Sequence, residues 1–250
     1  MFSSSNPALS EQIFMRSKTA ESAETMTVKG TAQKTMLMLL LVILGAAYTW
    51  NTFFQSGGNP SSVVIWMAVG GIGGLITALV LIFKPQTAPY AAPIYALLQG
   101  LMLGGLSAFM AAQYTGTIVM QAVGLTFSTF FLMLLAYQTG AIKATAKFRT
   151  GVIAATGAIA LMYFISFIAS LFGGSMAFMT DSSLLSIGIS VVIVAVAALN
   201  LILDFDFIEK GQTMGAPKYM EWYGAFGLMV TLIWLYIEFL KLLSKISRRN

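Results

Sequence analysis

Seven apolar runs, separated by short polar breaks, fill the chain from residue 35 onward: 35–54, 63–83, 90–112, 118–138, 152–172, 184–206 and 223–243. Each is close to the roughly 20 residues that a helix needs to cross a bilayer. Apolar character continues round every helical face, with none of the strict alternation a strand shows, so the pattern predicts helices and not a barrel. The expected fold is all-α, a polytopic membrane protein with seven transmembrane helices. The breaks carry turn residues: Gly57-Gly58-Asn59-Pro60, Lys84-Pro85, Thr115-Gly116, Gly173-Gly174 and Gly215-Ala216-Pro217. Loops this short make successive helices antiparallel. Residues 1–34 form a polar tail rich in Ser and Thr, expected to be flexible, and residues 35–247 form the membrane domain. The tail has no early apolar core and no small-residue cleavage site, so the first helix is expected to act as its own insertion signal.

Composition sharpens this picture. Apolar residues make up 58% of the chain, charged residues 9%, and the mean hydropathy is +0.82, against about 25% charged in ordinary soluble domains. Cysteine and histidine are both absent. That removes disulfides, thiolate and Ser-His-Asp chemistry and nearly all zinc or haem ligation, leaving only hard, oxygen-liganded ions. The formal net charge of +5 lies in short loops and tails, without the aromatic-basic patch that nucleic-acid binding needs. Ten Lys and Arg fall in the N-terminal tail and the second, fourth and sixth loops, and none in the first, third and fifth. This bias predicts a cytoplasmic N-terminus. Seven crossings then place the C-terminal tail outside, although it carries Lys241, Lys245, Arg248 and Arg249. Either the earlier loops dominate and the last segment crosses fully, which is the expectation, or it bends near Gly224 and Gly227 and returns.

The acidic residues point most directly to chemistry. From Thr25 to Thr180 there is no Asp or Glu, whereas five of the nine acids lie between Asp204 and Glu238. An ionised carboxylate at membrane depth is costly unless paired, which makes such residues candidates for ion or proton handling. Asp204 follows the run Leu199 to Leu203 and has no cation within one turn. On a helix it shares a face with Asn200, while Asp206 pairs naturally with Lys210 four residues on, as a solvated charge at the mouth. Glu238 sits in an apolar stretch from Trp234 to Leu240, with Lys241 three residues away as its ordinary snorkelling partner. If Asp204 and Glu238 face each other they form a coupled titrating pair, a pH switch without histidine. Depth opposes this, because Glu238 stands about 22 Å beyond Tyr223 along a helix and Asp204 lies near the opposite end of its own run. Gly70-Gly71-Ile72-Gly73-Gly74 and Gly100 to Gly105 read as close helix packing. Gln99 and Tyr95 are candidates for the bundle interior, and Trp222 and Tyr223 for interfacial anchors.

Taken together, Ser4 to Leu9, Tyr95 to Ser107, Leu203-Asp204-Phe205-Asp206-Phe207-Ile208-Glu209-Lys210-Gly211 and Leu235 to Phe239 resemble the Bax inhibitor-1 superfamily in its bacterial YccA-like branch. The resemblance spans essentially the whole chain. It implies a seven-helix bundle with the last helix near the centre and, in characterised members, a pH-sensitive calcium leak whose sensing acids match Asp204 and Glu238 by motif position. Ca2+ would then be a permeant or bound ion at these two residues, with Asp206, Asn200 and Gln99 as accessories. In the bacterial branch it also implies association with a membrane-bound ATP-dependent protease, through the N-terminal tail. The chain departs from those members in having Glu in the seventh run, a longer segment between the acids, and no arginine from Val63 to Phe83. The leading expectation is a cytoplasmic-membrane cation leak or sensor. The alternative is a regulator that transports nothing. No enzyme is expected, since the Gly-x-Gly-Asp pattern of intramembrane carboxyl proteases is missing.

Because the chain has no cysteine, the orientation is directly testable. A membrane-impermeant maleimide is expected to label Asn59→Cys in whole cells and Thr213→Cys only after the membrane is opened; the reverse pattern would refute the charge-based orientation.

Overall fold

The computed structural model describes residues 25–114, 117–173 and 181–249; the motif at Ser4 to Leu9 and the tail up to residue 24 lie outside them. Among the described residues seven helices are long and apolar enough to cross a membrane. They are α1 (Val28–Gln55), α2 (Ser61–Phe83), α3 (Ala88–Gln113, entered by a 3-10 turn at Pro85–Thr87), α4 (Thr117–Gln138), α5 (Ala146–Leu171), α6 (Leu184–Thr213) and α7 (Met220–Arg249). All seven coincide with the apolar runs. Four extend further: α1 starts at Val28, within the polar segment, α5 starts at Ala146, six residues before its run, α6 continues seven residues beyond its run, and α7 runs from Met220 to Arg249, unbroken through Gly224 and Gly227. At 1.5 Å per residue its 30 residues reach about 45 Å, enough for a full crossing.

Local chemistry fixes the helix ends. Thr27, Thr145 and Ser183 cap α1, α5 and α6, each accepting a backbone N–H three residues on, from Gly30 (2.9 Å), Phe148 (3.2 Å) and Ser186 (3.2 Å). Gly215, at a φ of 66°, takes the left-handed conformation that closes α6. Its neighbour Ala216 donates to the Gly211 carbonyl at 3.0 Å, and Pro217 then starts the turn into α7.

The last helix is the axis of the bundle. It packs against α1, α3, α4 and α6 and is the most buried of the spans. Tyr223, Phe226, Met229 and Leu235 are fully enclosed along it. Tyr223 is thus a core residue stacked near Phe207 and Phe226, not an interfacial anchor, because α7 begins early enough to carry it inside. The outer helices turn apolar side chains outward, among them Ile65 and Ile72 of α2, Phe131 of α4 and Phe164 of α5. An exposed belt of this kind is the surface of a protein whose solvent is lipid.

The glycine motifs act as packing devices. Gly100 and Gly104 of α3 lie against the α1 backbone at Val42 and Ala46, while Gly45 of α1 faces the Leu97 carbonyl so closely that a Cβ there would stand 2.6 Å from it. Gly70 and Gly74 seat α2 on α3 in the same way, against Leu98 and Gln99. Gly124 of α4, by contrast, has nothing near the position of a Cβ. Gly100→Ala must push α1 and α3 apart and is expected to destabilise the protein by about 1–3 kcal/mol, whereas Gly124→Ala is expected to be neutral or stabilising. Thermal unfolding in detergent measures both; equal effects would contradict this packing.

Candidate functional site

The extension of α6 to Thr213 places Asp204 deeper than its apolar run implied, though still short of the level of Glu238. Asp204 lies nine positions inside the helix end, about 13 Å along the axis, and meets α7 at Thr231, eleven positions, or about 16 Å, from Met220. Asp204 is 1% exposed, and neither carboxyl oxygen has a hydrogen-bond partner among the described residues. The Thr231 hydroxyl is close enough to donate to the carboxyl, but the hydrogen bond it makes, at 3.4 Å, goes to the Gly227 carbonyl. Among the described residues no ion pair reaches Asp204. An ionised carboxyl sealed this way carries its desolvation cost uncompensated.

Glu238 is equally buried, at 1% exposure, yet well supplied. The Tyr163 hydroxyl of α5 lies 2.8 and 2.9 Å from its two oxygens, and Lys241 donates to Oε1 at 3.0 Å while its tip stays partly exposed. The same ammonium sits 4.4 Å from the centre of the Tyr163 ring. One turn further, the buried Lys245 donates to the Ser190 hydroxyl at 2.8 Å. Seven residues, about 10 Å of helix, separate Glu238 from Thr231. No hydrogen bond among the described residues joins Asp204 to Glu238; the two acids are successive stations along α7.

The accessory residues divide among different neighbours. Asp206 pairs with Lys210 at 3.0 Å and also with the buried Arg149 of α5. That arginine sits in the first turn of α5. Glu209 accepts from Tyr137 of α4. Asn200 donates to Thr156 at 2.8 Å and to the Val196 carbonyl at 2.9 Å, tying α6 to α5. Gln99 is buried against Gly74 of α2, on the side of α3 that packs there.

A further acid, Glu221, had no distinguishing spacing in the sequence. It opens α7, is fully buried, and holds the start of α1. Its Oε1 accepts the Thr27 N–H and hydroxyl, both at 2.9 Å, and Lys218 lies 3.4 Å away; Oε2 pairs with Lys34. Gly30 leaves the room this carboxylate occupies. Met26 is buried, and its N–H donates to Ala216 at 2.7 Å. The end of the tail is therefore fastened to the α6–α7 turn. Lys34, directly before the first apolar run, is the sequence feature that calls for an acid nearby.

Calcium takes six to eight oxygen ligands. Among the described residues no three Asp or Glu side chains gather, Asp204 has one hydroxyl beside it, and the Glu238 oxygens are already held. A resident calcium ion does not fit this arrangement. What the geometry provides is a line of buried ionisable groups along α7, one of them uncompensated.

The family model described as Bax inhibitor 1 like matches residues 6–248. The chain belongs to the Bax inhibitor 1 like family. No curated protein matches it. The family match takes in every helix named above, so α6 and α7 with Asp204 and Glu238 lie inside the shared region.

Glu221→Gln removes the charge that gathers Lys34, Lys218 and Thr27. Loss of these bonds is expected to cost about 1–3 kcal/mol locally and to raise amide hydrogen exchange over Met26–Thr31 well above that of α3. Unchanged protection there would show that Glu221 does not fasten the segment.

Proposed function

We propose that this Bax inhibitor 1 like protein is a cation leak or sensor of the cytoplasmic membrane, with its N-terminus inside, calcium as the ion, and pH as the control. The observation that carries this reading is Asp204, a carboxyl on α6 enclosed by the bundle with both oxygens unpartnered. Stability alone gives no reason to retain such a group; an ionisable residue at membrane depth is by default a functional one. A change in its protonation alters the charge of the α6–α7 contact at Thr231, and α7 carries that change to Glu238, where Tyr163 and Lys241 hold the second carboxyl. Coupling between the acids then runs through the helix and not through a shared proton. Asp206, held by Arg149 and Lys210, is a charge near the inner mouth. Nothing in this arrangement calls for catalysis, and no cofactor is assigned.

A second reading is favoured by the fastening at Glu221. As a regulator that transports nothing, the protein would hold a partner through residues 1–24, such as a membrane-bound ATP-dependent protease of the kind the resemblance implies, and the segment leading from that tail is tied directly to α7.

Reconstituted into vesicles, the protein is expected to pass Ca2+ at a rate that depends on pH, and Asp204→Asn is expected to abolish that dependence. Glu238→Gln is expected to reduce it, because Lys241 and Tyr163 lose their charged partner. Removal of residues 1–24 should leave flux intact. pH-dependent flux that survives both substitutions would refute the role of the acids, while a protein with no flux that loses its cellular effect on tail removal would favour the regulator.

A further inference from the structure

One cavity in the bundle is unrelated to the acids. It has a volume of about 420 Å³ and lies between α1, α3, α4 and α7 in the half of the bundle away from Glu221. Leu39 to Trp50 of α1, Val119 to Phe127 of α4 and Met229 to Tyr236 of α7 form its walls. Every hydroxyl on these walls is already used. Ser107 and Tyr236 bond each other at 2.6 Å, Ser107 also donates to the Leu103 carbonyl, and Thr126 donates to the Ala122 carbonyl at 2.7 Å. No charged side chain lines the space. A void of this kind has nothing to hold water and remains available to an apolar occupant.

Its shape narrows the occupant. The α1 wall from Leu39 to Trp50 extends about 16 Å at 1.5 Å per residue, close to half of the roughly 30 Å hydrocarbon core of a bilayer. Ile43 and Phe127, which line it, are exposed on the lipid-facing surface, so the cavity opens sideways into the membrane. The polar N-terminal tail does not suit it, being fastened by Met26 and Thr27 at the opposite end of the bundle. A free fatty acid suits it poorly, because no cation on the walls would receive the carboxylate.

We infer that this cavity binds one acyl chain of a bilayer phospholipid, drawn in from a single leaflet with its headgroup left at the interface. The chain replaces the missing side-chain contacts behind Met229, Leu232 and Ile233 and so supports α7 from the side opposite α6.

Trp50 reports on the site. In detergent, a variant that keeps only this tryptophan (Trp66→Phe, Trp222→Phe, Trp234→Phe) is expected to be quenched saturably, at near-stoichiometric amounts, by a phosphatidylglycerol with brominated acyl chains. Native mass spectrometry of the wild-type protein should retain one phospholipid. Val123→Trp, which fills the cavity, is expected to lower that retention at least tenfold, whereas Leu75→Trp on the exposed face of α2 leaves it unchanged. Quenching that rises linearly with lipid content, without saturation, would overturn the assignment. So would equal retention in a helical, monodisperse Val123→Trp protein, or saturation by brominated stearate in preference to the phospholipid. Should Val123→Trp fail to fold, the quenching curve decides alone.

Discussion

A helix surrounded by four others has no access to water, and every polar group on or against it must be compensated from within the bundle. α7 is in that position. An uncompensated buried charge costs several kcal/mol, comparable to a large share of the stability of a whole domain. Around α7 the requirement is met at Glu221 by Lys34, Lys218 and Thr27, and at Glu238 by Tyr163 and Lys241. On α6 it is met at Asp206 by Arg149 and Lys210. Asp204 alone among these four acids has neither cation nor hydrogen bond.

The packing of the other helices follows from the same enclosure. Backbone contact at Gly45, Gly100 and Gly104 draws α1 and α3 together, and both then lie along α7. Through Thr27 and Lys34, α1 also grips the first turn of α7, so the segment leading out to the tail and the helix bearing Glu238 belong to one mechanical unit. On the far side of that helix an apolar cavity stands between α7 and the facing walls of α1, α3 and α4 over about two turns. The bundle is therefore tight where glycines meet backbone and loose around this cavity.

The helices were legible because twenty apolar residues in a row have few other uses, and the spans coincide with the observed ones to within a few residues except where α1, α5, α6 and α7 run on into polar sequence. Those extensions carried much of the error in depth: with Asp204 placed near a helix end, its contact with the middle of α7 was hidden. Local partners were readable from helical spacing, as Asp206 with Lys210 and Glu238 with Lys241 show. Partners from other helices were not. Tyr163, Arg149 and Thr27 reach their acids across gaps of 75, 57 and 194 residues, and only tertiary packing brings them there. Glu221 was passed over for the same reason, since an acid in a first helical turn ordinarily needs no explanation beyond the helix dipole.

In the proposed function the protonation of Asp204 sets the state of the bundle. Infrared difference spectroscopy of the reconstituted protein across a pH titration, with the Asp204 carboxyl band assigned by its loss in Asp204→Asn, tests this most directly. The account predicts that this band changes with the same midpoint as the helix rearrangement seen in the amide region. A rearrangement that proceeds while the Asp204 band stays constant would contradict it.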